Sequence, residues 1–440
     1  MDPNQTPLDD KALDEVVRLT SDLIRRDTTN RGGGEGDERE AAEYVAAELA
    51  ETGLEPAILE KAPRRTNVVA RVEGTDPSAP ALLVHGHLDV VPAAAEDWAV
   101  DPFSGEVRDG VVWGRGAVDM KNMVAMTLAA VRSWHRTGAR PRRDIVLAFT
   151  SDEEDSARYG SEFLAEEHSE LFAGCEAGVS EAGGYTFHDG RGNRLYPIGA
   201  GERGTAWLDV VAKGTAGHGS KVHPDNAVAH LSRALARISD HRWPVQLSPT
   251  VRAALRSLAE IYGTPFDEDD VDGFIARLGC ERYLVEATVR NSSAPTVLDA
   301  GYKVNVIPGQ ARAMVDGRVV PGGTELFEAT LDGLTGPNVD WSYHHREVPL
   351  TAPVDGPLFG AMRDSLLRFD PEGRVVPVCL SGGTDAKQFS RLGITGYGFS
   401  PLRFPEGFAF EKLFHGVDER VPVEALRFGV RVLDDFLRSA

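Results

Sequence analysis

Residues 82–92 read LLVHGHLDVVP, an apolar run of strand length that leads into two histidines and an acid. The run predicts a buried strand, which places His87 and Asp89 at its carboxyl end, where open α/β sheets hold their ligand sites. Side chains two residues apart in an extended chain face the same side, so Asp89 is expected to reach the imidazole of His87 and fix its orientation. A solvated histidine beside a capping acid is the plainer alternative, and this pair alone does not decide between the two.

Strand and helix patterns alternate on both sides of this stretch. Apolar runs of strand length (TNVVARV, DIVLAFTS and EAGVSE) are accompanied by helical patterns at 37–52 and 122–136. Such alternation predicts a largely parallel sheet. The same texture resumes near the carboxyl end, with VVPVCL, ITGYGF and a final helix. One α/β domain is therefore expected to comprise residues 1–200 and 348–440.

Residues 201–347 have a different texture, which predicts an inserted domain. GTAWLDVVAKG alternates like a half-exposed strand, 223–238 has a helical pattern, and YKVNVIP and ARAMVDGRVV alternate again. A helix at 324–334 and the strand VDWSYHH complete the order β-α-β-β-α-β, which is ferredoxin-like. Residues 241–298 fit neither pattern and are expected to form a largely helical elaboration of the insert.

Length and charge narrow the class of protein. The chain has 440 residues, more than one hydrophobic core supports, so two or more domains are expected. Its 47 Lys and Arg against 68 Asp and Glu give a net charge of −21, and no stretch concentrates the basic residues. Nucleic acids are therefore not expected among its partners.

The cysteines and the first residues suggest a compartment. Residues 1–20 carry acids where a secretion signal needs a basic start and an apolar run, and no segment approaches a membrane span. Cys175, Cys280 and Cys379 are far apart and odd in number, which suits a reducing environment. A cytoplasmic location without membrane association is the expectation. Because these cysteines offer no thiolate site, a bound metal would use histidine and carboxylate ligands.

Four further segments carry ionisable residues near the ends of predicted elements: Asp119 in WGRGAVDMK, the acidic run 152–155, Glu181 in AGVSEAGG and His415 in LFHGVDERVP. Taken singly, each favours an ordinary explanation, such as a helix cap, a solvated loop end, a surface acid or a turn histidine. Together with His87 they supply two histidines and three carboxylates, beside a spare Glu and a spare Asp. That inventory is typical of a binuclear zinc hydrolase.

Three other chemistries are excluded by pattern. GAGERG matches the dinucleotide fingerprint at Gly199, Gly201 and Gly204, but an alternating strand follows it where the fingerprint requires a helix. The chain has neither the G-x-S-x-G elbow of a serine hydrolase nor the H-E-x-x-H helix of a single-zinc protease.

The same motifs resemble a known family in order and spacing: HGHLDVVP, GRGAVDMK, a Glu-Glu pair, SEAGG, AGHGS, VNVIP with a later DGR, SGGTDAK and FHGVDERV. This is the metallopeptidase family of aminoacylases, succinyl-diaminopimelate desuccinylase, glutamate carboxypeptidase and vacuolar carboxypeptidase S. The resemblance covers nearly the whole chain. It implies an α/β fold with a phosphorylase/hydrolase-like zinc-peptidase catalytic domain and mainly parallel sheet, plus an inserted α+β ferredoxin-like domain that serves as lid and dimerisation domain.

Carried over position by position, the resemblance implies two zinc ions per subunit, with cobalt or manganese as possible substitutes. It makes Asp119 the ligand that bridges the two ions. His87 and Glu181 complete one site, and Glu154 and His415 complete the other.

The resemblance also assigns catalytic roles. Glu153 becomes the general acid/base, and His218 in AGHGS becomes the donor that stabilises the oxyanion. Asp89 keeps the supporting role beside His87 that its spacing suggests. In relatives the equivalent of His218 reaches the active site of a partner subunit, which implies a homodimer through the insert. Without the family context, a turn histidine between glycines is the more ordinary interpretation of His218.

Substrate binding is likewise implied. Asn305 and Arg318, placed on adjacent predicted strands, hold the substrate carboxylate, with Gly382, Gly383 and Thr384 of the SGGTD loop. The predicted substrate is a small amide or dipeptide whose scissile bond lies next to a free carboxylate, such as an N-acyl amino acid.

Glu rather than Asp at position 181 goes, in relatives, with deacylases and carboxypeptidases. An aminopeptidase and a non-catalytic, metal-stabilised binding protein remain the alternatives. Asp155, Arg158 and Tyr159 stand where many relatives have small residues, so these side chains are expected to line or narrow the pocket.

Overall fold

A computed structural model describes residues 8–440, apart from the side chain of Glu411. The chain divides into two compact units. Unit 1 comprises Met1–Ala200, Ala352–Pro377 and Thr384–Ala440, of which residues 1–7 lie outside the described part. Unit 2 comprises Gly201–Thr351 and Val378–Gly383.

The strands are, in chain order, β1 (Ala57–Ala62), β2 (Arg65–Val72), β3 (Ala81–His87), β4 (Val107–Arg108), β5 (Val111–Trp113), β6 (Ile145–Thr150), β7 (Cys175–Ser180), β8 (Phe187–His188), β9 (Arg194–Glu202), β10 (Gly204–Lys213), β11 (Gly217–His218), β12 (Ser292–Asp299), β13 (Val306–Ile307), β14 (Gln310–Val319), β15 (Val339–Arg346), β16 (Leu350–Thr351), β17 (Arg374–Leu380), β18 (Thr395–Gly398) and β19 (Arg420–Pro422).

The α-helices are α1 (Asp10–Ile24), α2 (Arg39–Ala50), α3 (Lys121–Thr137), α4 (Ser161–Glu167), α5 (Ala227–Asp240), α6 (Pro249–Tyr262), α7 (Val271–Arg277), α8 (Thr324–Thr335), α9 (Pro357–Phe369), α10 (Ala386–Phe389) and α11 (Val423–Ser439). Within residues 8–440, none of them combines the length and the apolar character that crossing a bilayer requires.

The main sheet of unit 1 runs in the order β1-β2-β6-β3-β7-β18-β9. Its four central strands are parallel, with Val84 of β3 opposite Leu147 on one side and Val179 on the other. The outer strands β1, β2 and β9 pair antiparallel. The predicted parallel sheet is therefore confirmed for the centre, where β3 and β6 are buried along their whole length, as expected for strands covered on both faces.

Three helices of unit 1 pack together through apolar stripes. The final helix, α11, buries Leu426, Val430, Leu433 and Leu437, as the spacing predicts, and contacts α1 and α3. Gly429 allows this close approach, because a Cβ atom there would collide with the carbonyl oxygen of Pro401 and the sulfur of Met126.

Unit 2 contains a four-stranded antiparallel sheet in the order β12-β14-β10-β15. With α5 following β10 and α8 following β14, this is the ferredoxin-like order that the sequence predicts. The predicted second strand, YKVNVIP, is wrong: only Val306–Ile307 of it is a strand, and it pairs with Gly217–His218 outside this sheet.

The second strand of the sheet is instead β12, which lies inside the segment predicted to be helical. Helices α6 and α7 occupy the earlier part of residues 241–298, so that prediction fails only for the last residues. The strand escaped detection because it contains Pro295 and leaves Val297 and Leu298 exposed, so it lacks the alternation of a half-buried strand. An edge strand tolerates both features.

Candidate metal centre

Six predicted site residues of unit 1 lie at the end of a central strand or in the loops between elements. His87 ends β3, Glu181 directly follows β7, and Glu153 and Glu154 lie in the loop after β6. Because β6, β3 and β7 are parallel neighbours, their carboxyl ends meet at one edge of the sheet and bring these loops together. The remaining two residues come from other loops: Asp119 just before α3, and His415 ahead of β19.

Asp119 lies between the two histidines. Its Oδ1 atom is 3.1 Å from Nε2 of His87, and its Oδ2 atom is 3.3 Å from Nε2 of His415. Glu181 lies on the His87 side, with 3.7 Å between Oε2 and Nε2, and Glu154 lies on the His415 side, with 3.0 Å between Oε2 and Nε2. The structure thus forms two donor groups that share one carboxylate.

The donor set fits divalent cations. The ligand atoms of His87, Asp119 and Glu154 lie within 4.8 Å of one another, as do those of His87, Glu153 and Glu181. Oε1 of Glu154 is buried and has no hydrogen-bond partner among the described residues, although such an atom normally has one. Four carboxylates in one place repel one another unless cations compensate them, and imidazole with carboxylate is a donor set that zinc accepts. These residues are therefore suited to hold metal.

The contacts between Asp119 and the two histidines stabilise the charged forms of all three side chains. Burial works against the imidazolium of His87, but Glu181, Asp119 and Glu153 together raise its pKa well above the usual value. Hydrogen bonds to Asp119 and Glu154 raise the pKa of His415 to about 10. For Asp119, burial alone would raise the pKa, but the bonds from His415 and His87 keep it below its usual range. In the metal-free protein, protons therefore occupy the histidines.

The pKa values of the three glutamates are raised, whereas that of Asp119 is lowered. Burial, followed by the charge of Glu181, raises the pKa of Glu153 well above its ordinary value. Burial and the neighbouring Asp119 raise the pKa of Glu181 to about 7, and burial also raises the pKa of Glu154. Glu153 lies 4.0 Å from Nε2 of His87. A carboxyl group with a raised pKa beside the donor groups is suited to hold and release a proton.

Asp89 contacts His87 differently from the prediction. Nδ1 of His87 lies 2.8 Å from the main-chain oxygen of Asp89 but 3.7 Å from its carboxylate. The carboxylate instead accepts the backbone N–H groups of Glu153 and Glu154, at 3.2 and 3.1 Å. The main-chain oxygen of Asp89 therefore orients His87, and the Asp89 side chain binds the loop of Glu153 and Glu154.

A buried ion pair that sequence reasoning missed fixes the backbone at Asp119. The carboxylate of Glu419 accepts the backbone N–H groups of Gly116, Val118 and Asp119 at 3.0, 2.8 and 3.1 Å, and it bonds to Arg115 at 2.8 Å. Burial raises the pKa of Glu419 to about 7. The only sequence signal for this role is its place shortly after His415 in FHGVDERV.

Two of the predicted unit 2 residues are neighbours. His218 pairs with Val306 in the β11–β13 ladder, and the N–H of Gly219 donates to the main-chain oxygen of Asn305 at 2.9 Å. Asn305 is exposed and lies just before β13, not on a strand of the four-stranded sheet as predicted. His218 bonds locally to Ser220, with 2.9 Å between Nδ1 and Oγ.

Arg318 lies on β14, where its guanidinium forks onto Asp316 at 2.7 and 3.1 Å and donates to Thr205 at 3.3 Å. The fork predicted to hold a substrate carboxylate is thus engaged by a carboxylate of the same strand. Gly382 and Gly383 belong to unit 2 and Thr384 to unit 1. Thr384 accepts the N–H of Ala386 at 3.2 Å, at the start of α10.

Asp155 and Tyr159, which were expected to line or narrow the pocket, contact the glycine-rich segment 32–36. The Asp155 carboxylate accepts the N–H of Gly33 at 3.2 Å, and Gly34 packs against the Tyr159 hydroxyl. Arg158 is exposed. Whether these side chains restrict the substrate stays a prediction.

A parallel α/β sheet with nitrogen and oxygen donors grouped at its strand ends is the arrangement of a metal-dependent hydrolase, the class that the motifs predict. The profile of the peptidase family M20/M25/M40 matches residues 83–439. The chain therefore belongs to this family and hydrolyses amide or peptide bonds, which confirms the predicted family and reaction class.

Individual relatives agree with this membership. The chain is 31% identical to the human "N-fatty-acyl-amino acid synthase/hydrolase PM20D1", in a match that covers 84% of this chain and 76% of that protein. It is 26% identical to mouse "Aminoacylase-1", covering 91% of this chain and 89% of that protein.

Solved structures share the fold. An M20 family metallo-carboxypeptidase from Sulfolobus solfataricus superposes with a TM-score of 0.71 at 18% identity, covering 96% of this chain and 98% of that chain. Human carnosine dipeptidase 1 gives a TM-score of 0.65 at 19% identity, covering 97% and 96%. The predicted fold class is confirmed.

Proposed function

We propose that the protein is a dizinc amidohydrolase that cleaves N-acyl amino acids into a carboxylic acid and a free amino acid. The observation that carries the proposal is the shared carboxylate of Asp119, which faces His87 with one oxygen and His415 with the other. Support for this substrate class comes from the names of the human and mouse relatives, both of which refer to acylated amino acids or their hydrolysis.

Within the proposal, His87 and Glu181 would hold one ion, Glu154 and His415 would hold the other, and Asp119 would contribute to both groups. The chemistry that zinc would supply there is Lewis-acid polarisation of the amide carbonyl and a lowering of the pKa of a water molecule to about 7. Cobalt and manganese accept the same donors, so the choice of metal follows supply as well as affinity.

Glu153 is the proton carrier of the proposed reaction. It accepts a proton from the attacking water and returns it to the leaving nitrogen, so the carboxylate ends the cycle as it began. Its burial and its like-charged neighbour Glu181 suit this role, because both raise its pKa toward the operating range.

The predicted roles of the remaining residues are kept in the proposal. His218 stabilises the oxyanion, and Asn305 and Arg318 bind the substrate carboxylate together with the loop of Gly382, Gly383 and Thr384. The resemblance of AGHGS, VNVIP and SGGTD to the family motifs supports these roles. To bind a substrate carboxylate, the Arg318 guanidinium must release its hydrogen bonds to Asp316. A homodimer through unit 2 and a cytoplasmic location likewise remain predictions.

The substrate class is tested by a panel of N-acetyl and N-oleoyl amino acids, the corresponding N-acyl amino-acid amides, and dipeptides with free or blocked amino termini. We expect release of free amino acid from the N-acyl substrates with added zinc, and no release when the substrate carboxylate is converted to an amide, since the proposed site binds that carboxylate. Chelator should abolish turnover, and zinc should restore it. The assay is quantitation of the liberated amine.

The same panel distinguishes the rival functions. Preference for dipeptides whose amino terminus is blocked would favour a carboxypeptidase, in line with the S. solfataricus structure, and preference for a free amino terminus would favour an aminopeptidase. Absence of turnover on every substrate would favour a non-catalytic, metal-stabilised binding protein.

Metal binding is expected to release protons at pH 7. Ligands must be unprotonated to bind metal, whereas in the metal-free protein the pKa of His415 is about 10 and that of Glu181 about 7. Both pKa values lie at or above the working pH, so the apparent zinc affinity should rise as pH increases from about 7 toward about 10. Titration calorimetry in buffers of different ionisation enthalpy measures the protons. A heat that does not depend on the buffer would contradict the prediction.

A further inference from the structure

The loop that carries Glu153 and Glu154 rests on a buried carboxylate. Asp89, which is 0% exposed, accepts the backbone N–H groups of both glutamates and also a hydrogen bond from Nδ2 of Asn30 at 2.9 Å. Three donors on one carboxylate fix its position. The position of Glu153 is therefore set by whatever holds Asp89.

Asn30 joins Asp89 to a second buried acid. Its Nδ2 also donates to Oδ1 of Asp152 at 3.1 Å, and its own backbone N–H donates to Val90 at 2.9 Å. Asp152 immediately precedes Glu153 and has a left-handed backbone, with φ of 69°. A non-glycine residue keeps such a conformation only when its surroundings impose it, although Asp tolerates it better than most.

A buried arginine completes the network. Nη2 of Arg65 donates to Oδ1 of Asp152 at 2.9 Å, and its Nε donates to Glu38 at 2.9 Å. Arg65 is 1% exposed, and both Glu38 and Asp152 are 0% exposed. Burial, followed by the charge of Asp89, raises the pKa of Glu38 to about 8. The Arg65 guanidinium therefore joins the buried carboxyl groups of Glu38 and Asp152.

We propose that Asn30 and Arg65 are positioning residues for Glu153, acting through Asp152 and the Asp89 carboxylate. Neither contacts the donor groups of the centre. Asn30 sets the distance between Asp89, which bonds to the N–H groups of the loop, and Asp152, which begins the loop. Arg65 neutralises Asp152 and fixes its side chain, so the left-handed turn that aims Glu153 is maintained. This inference rests on the proposed role of Glu153.

The activity test uses Asn30→Ala and Arg65→Lys with zinc at saturation. Loss of a residue that supports a metal-site group lowers activity by about 10- to 100-fold. We expect a fall of that size in kcat, with KM and zinc content unchanged, for Asn30→Ala. Arg65→Lys should lose less, because lysine keeps the charge but not the planar fork. If Asn30→Ala fails to fold, Arg65→Lys still provides the activity test.

Tyr196→Phe is the matched control. It removes one buried hydrogen bond, from the Tyr196 hydroxyl to Asp370 at 2.8 Å, within the same unit but outside the network. It should keep the wild-type kcat even if its melting temperature falls. A loss of kcat in Tyr196→Phe equal to that in Asn30→Ala would reduce the effect to general destabilisation and overturn the proposal.

Hydrogen exchange on the metal-free protein provides a readout independent of activity. Because the amides of Glu153 and Glu154 donate to Asp89, Asn30→Ala should speed exchange in a peptide that covers residues 151–157. Tyr196→Phe should leave that peptide unchanged. Equal protection in Asn30→Ala and the wild type would overturn the proposal.

A double-mutant cycle separates this inference from the proposed function. If Asn30 acts through Glu153, Asn30→Ala should cause little further loss in a Glu153→Gln background. Full additivity would overturn the inference and leave the proposed function standing. If Glu153→Gln alone kept the wild-type turnover, the proposed function itself would fail.

Discussion

Replacing Glu153 by glutamine is expected to reduce turnover by about 10²- to 10⁴-fold, the usual contribution of a positioned general acid/base. Glutamine has nearly the same shape and can still accept the surrounding contacts, but it cannot take up and return a proton. Zinc content should stay at the wild-type level, because the two donor groups retain His87 with Glu181 and His415 with Glu154. The measurement is kcat with zinc stoichiometry on the same preparation.

Glu166→Gln is the control for this substitution. Glu166 lies on α4, is exposed and pairs with Arg391, so the same chemical change there should leave kcat unchanged. Wild-type turnover in Glu153→Gln with full zinc would remove Glu153 from the mechanism. A parallel loss of zinc would instead show that Glu153 acts as a metal ligand. Its Oε2 atom lies 4.0 Å from Nε2 of His87, close to that donor group.

Replacing Asp119 by asparagine is expected to have the larger structural consequence, because both donor groups use this side chain. Oδ1 faces His87 and Oδ2 faces His415, and asparagine supplies one neutral oxygen in place of two charged ones. Zinc should fall below one ion per subunit. Turnover should fall by more than about 10³-fold, since a bound metal contributes several kcal/mol and each 1.36 kcal/mol is about tenfold.

Asp14→Asn serves as the matched control for Asp119→Asn. Asp14 is exposed on α1 and pairs with Arg427, so its loss should affect neither zinc nor activity. Two zinc ions retained by Asp119→Asn with wild-type kcat would exclude a bridging role. Retention of a single ion with partial activity would mean that one of the two donor groups suffices for the chemistry.

The fold was predictable where the sequence carries a buried, regular pattern. The strands around LLVHGH and DIVLAF are buried on both faces, so their apolar runs indicated a parallel sheet, and the helix that ends the chain repeats its core residues at helical spacing. β12 was missed because an edge strand need not alternate, and Pro295 weakened its pattern further. Pairing with β14, a contact remote in sequence, determines it.

The candidate site was likewise predictable only in part. Short motifs predicted the ionisable residues of the centre, because each motif holds its residue at the end of a strand or before a helix; these residues are His87, Asp119, Glu153, Glu154 and Glu181. The hydrogen-bond partners of Asp89 could not be predicted from the sequence. A carboxylate accepts hydrogen bonds from the loops that fold over it, and these are set by the tertiary structure.

The class of fold, the family and the donor types at the centre follow from local pattern and residue chemistry, so they could be predicted from the sequence. The long-range contacts appear only in the folded chain: Asp119 faces both histidines, Glu419 binds its backbone, and Asn30 and Arg65 bond to Asp89 and Asp152. Such contacts join residues far apart in the chain. Hydrogen bonds act over about 3 Å, so only the folded chain can bring these partners within reach.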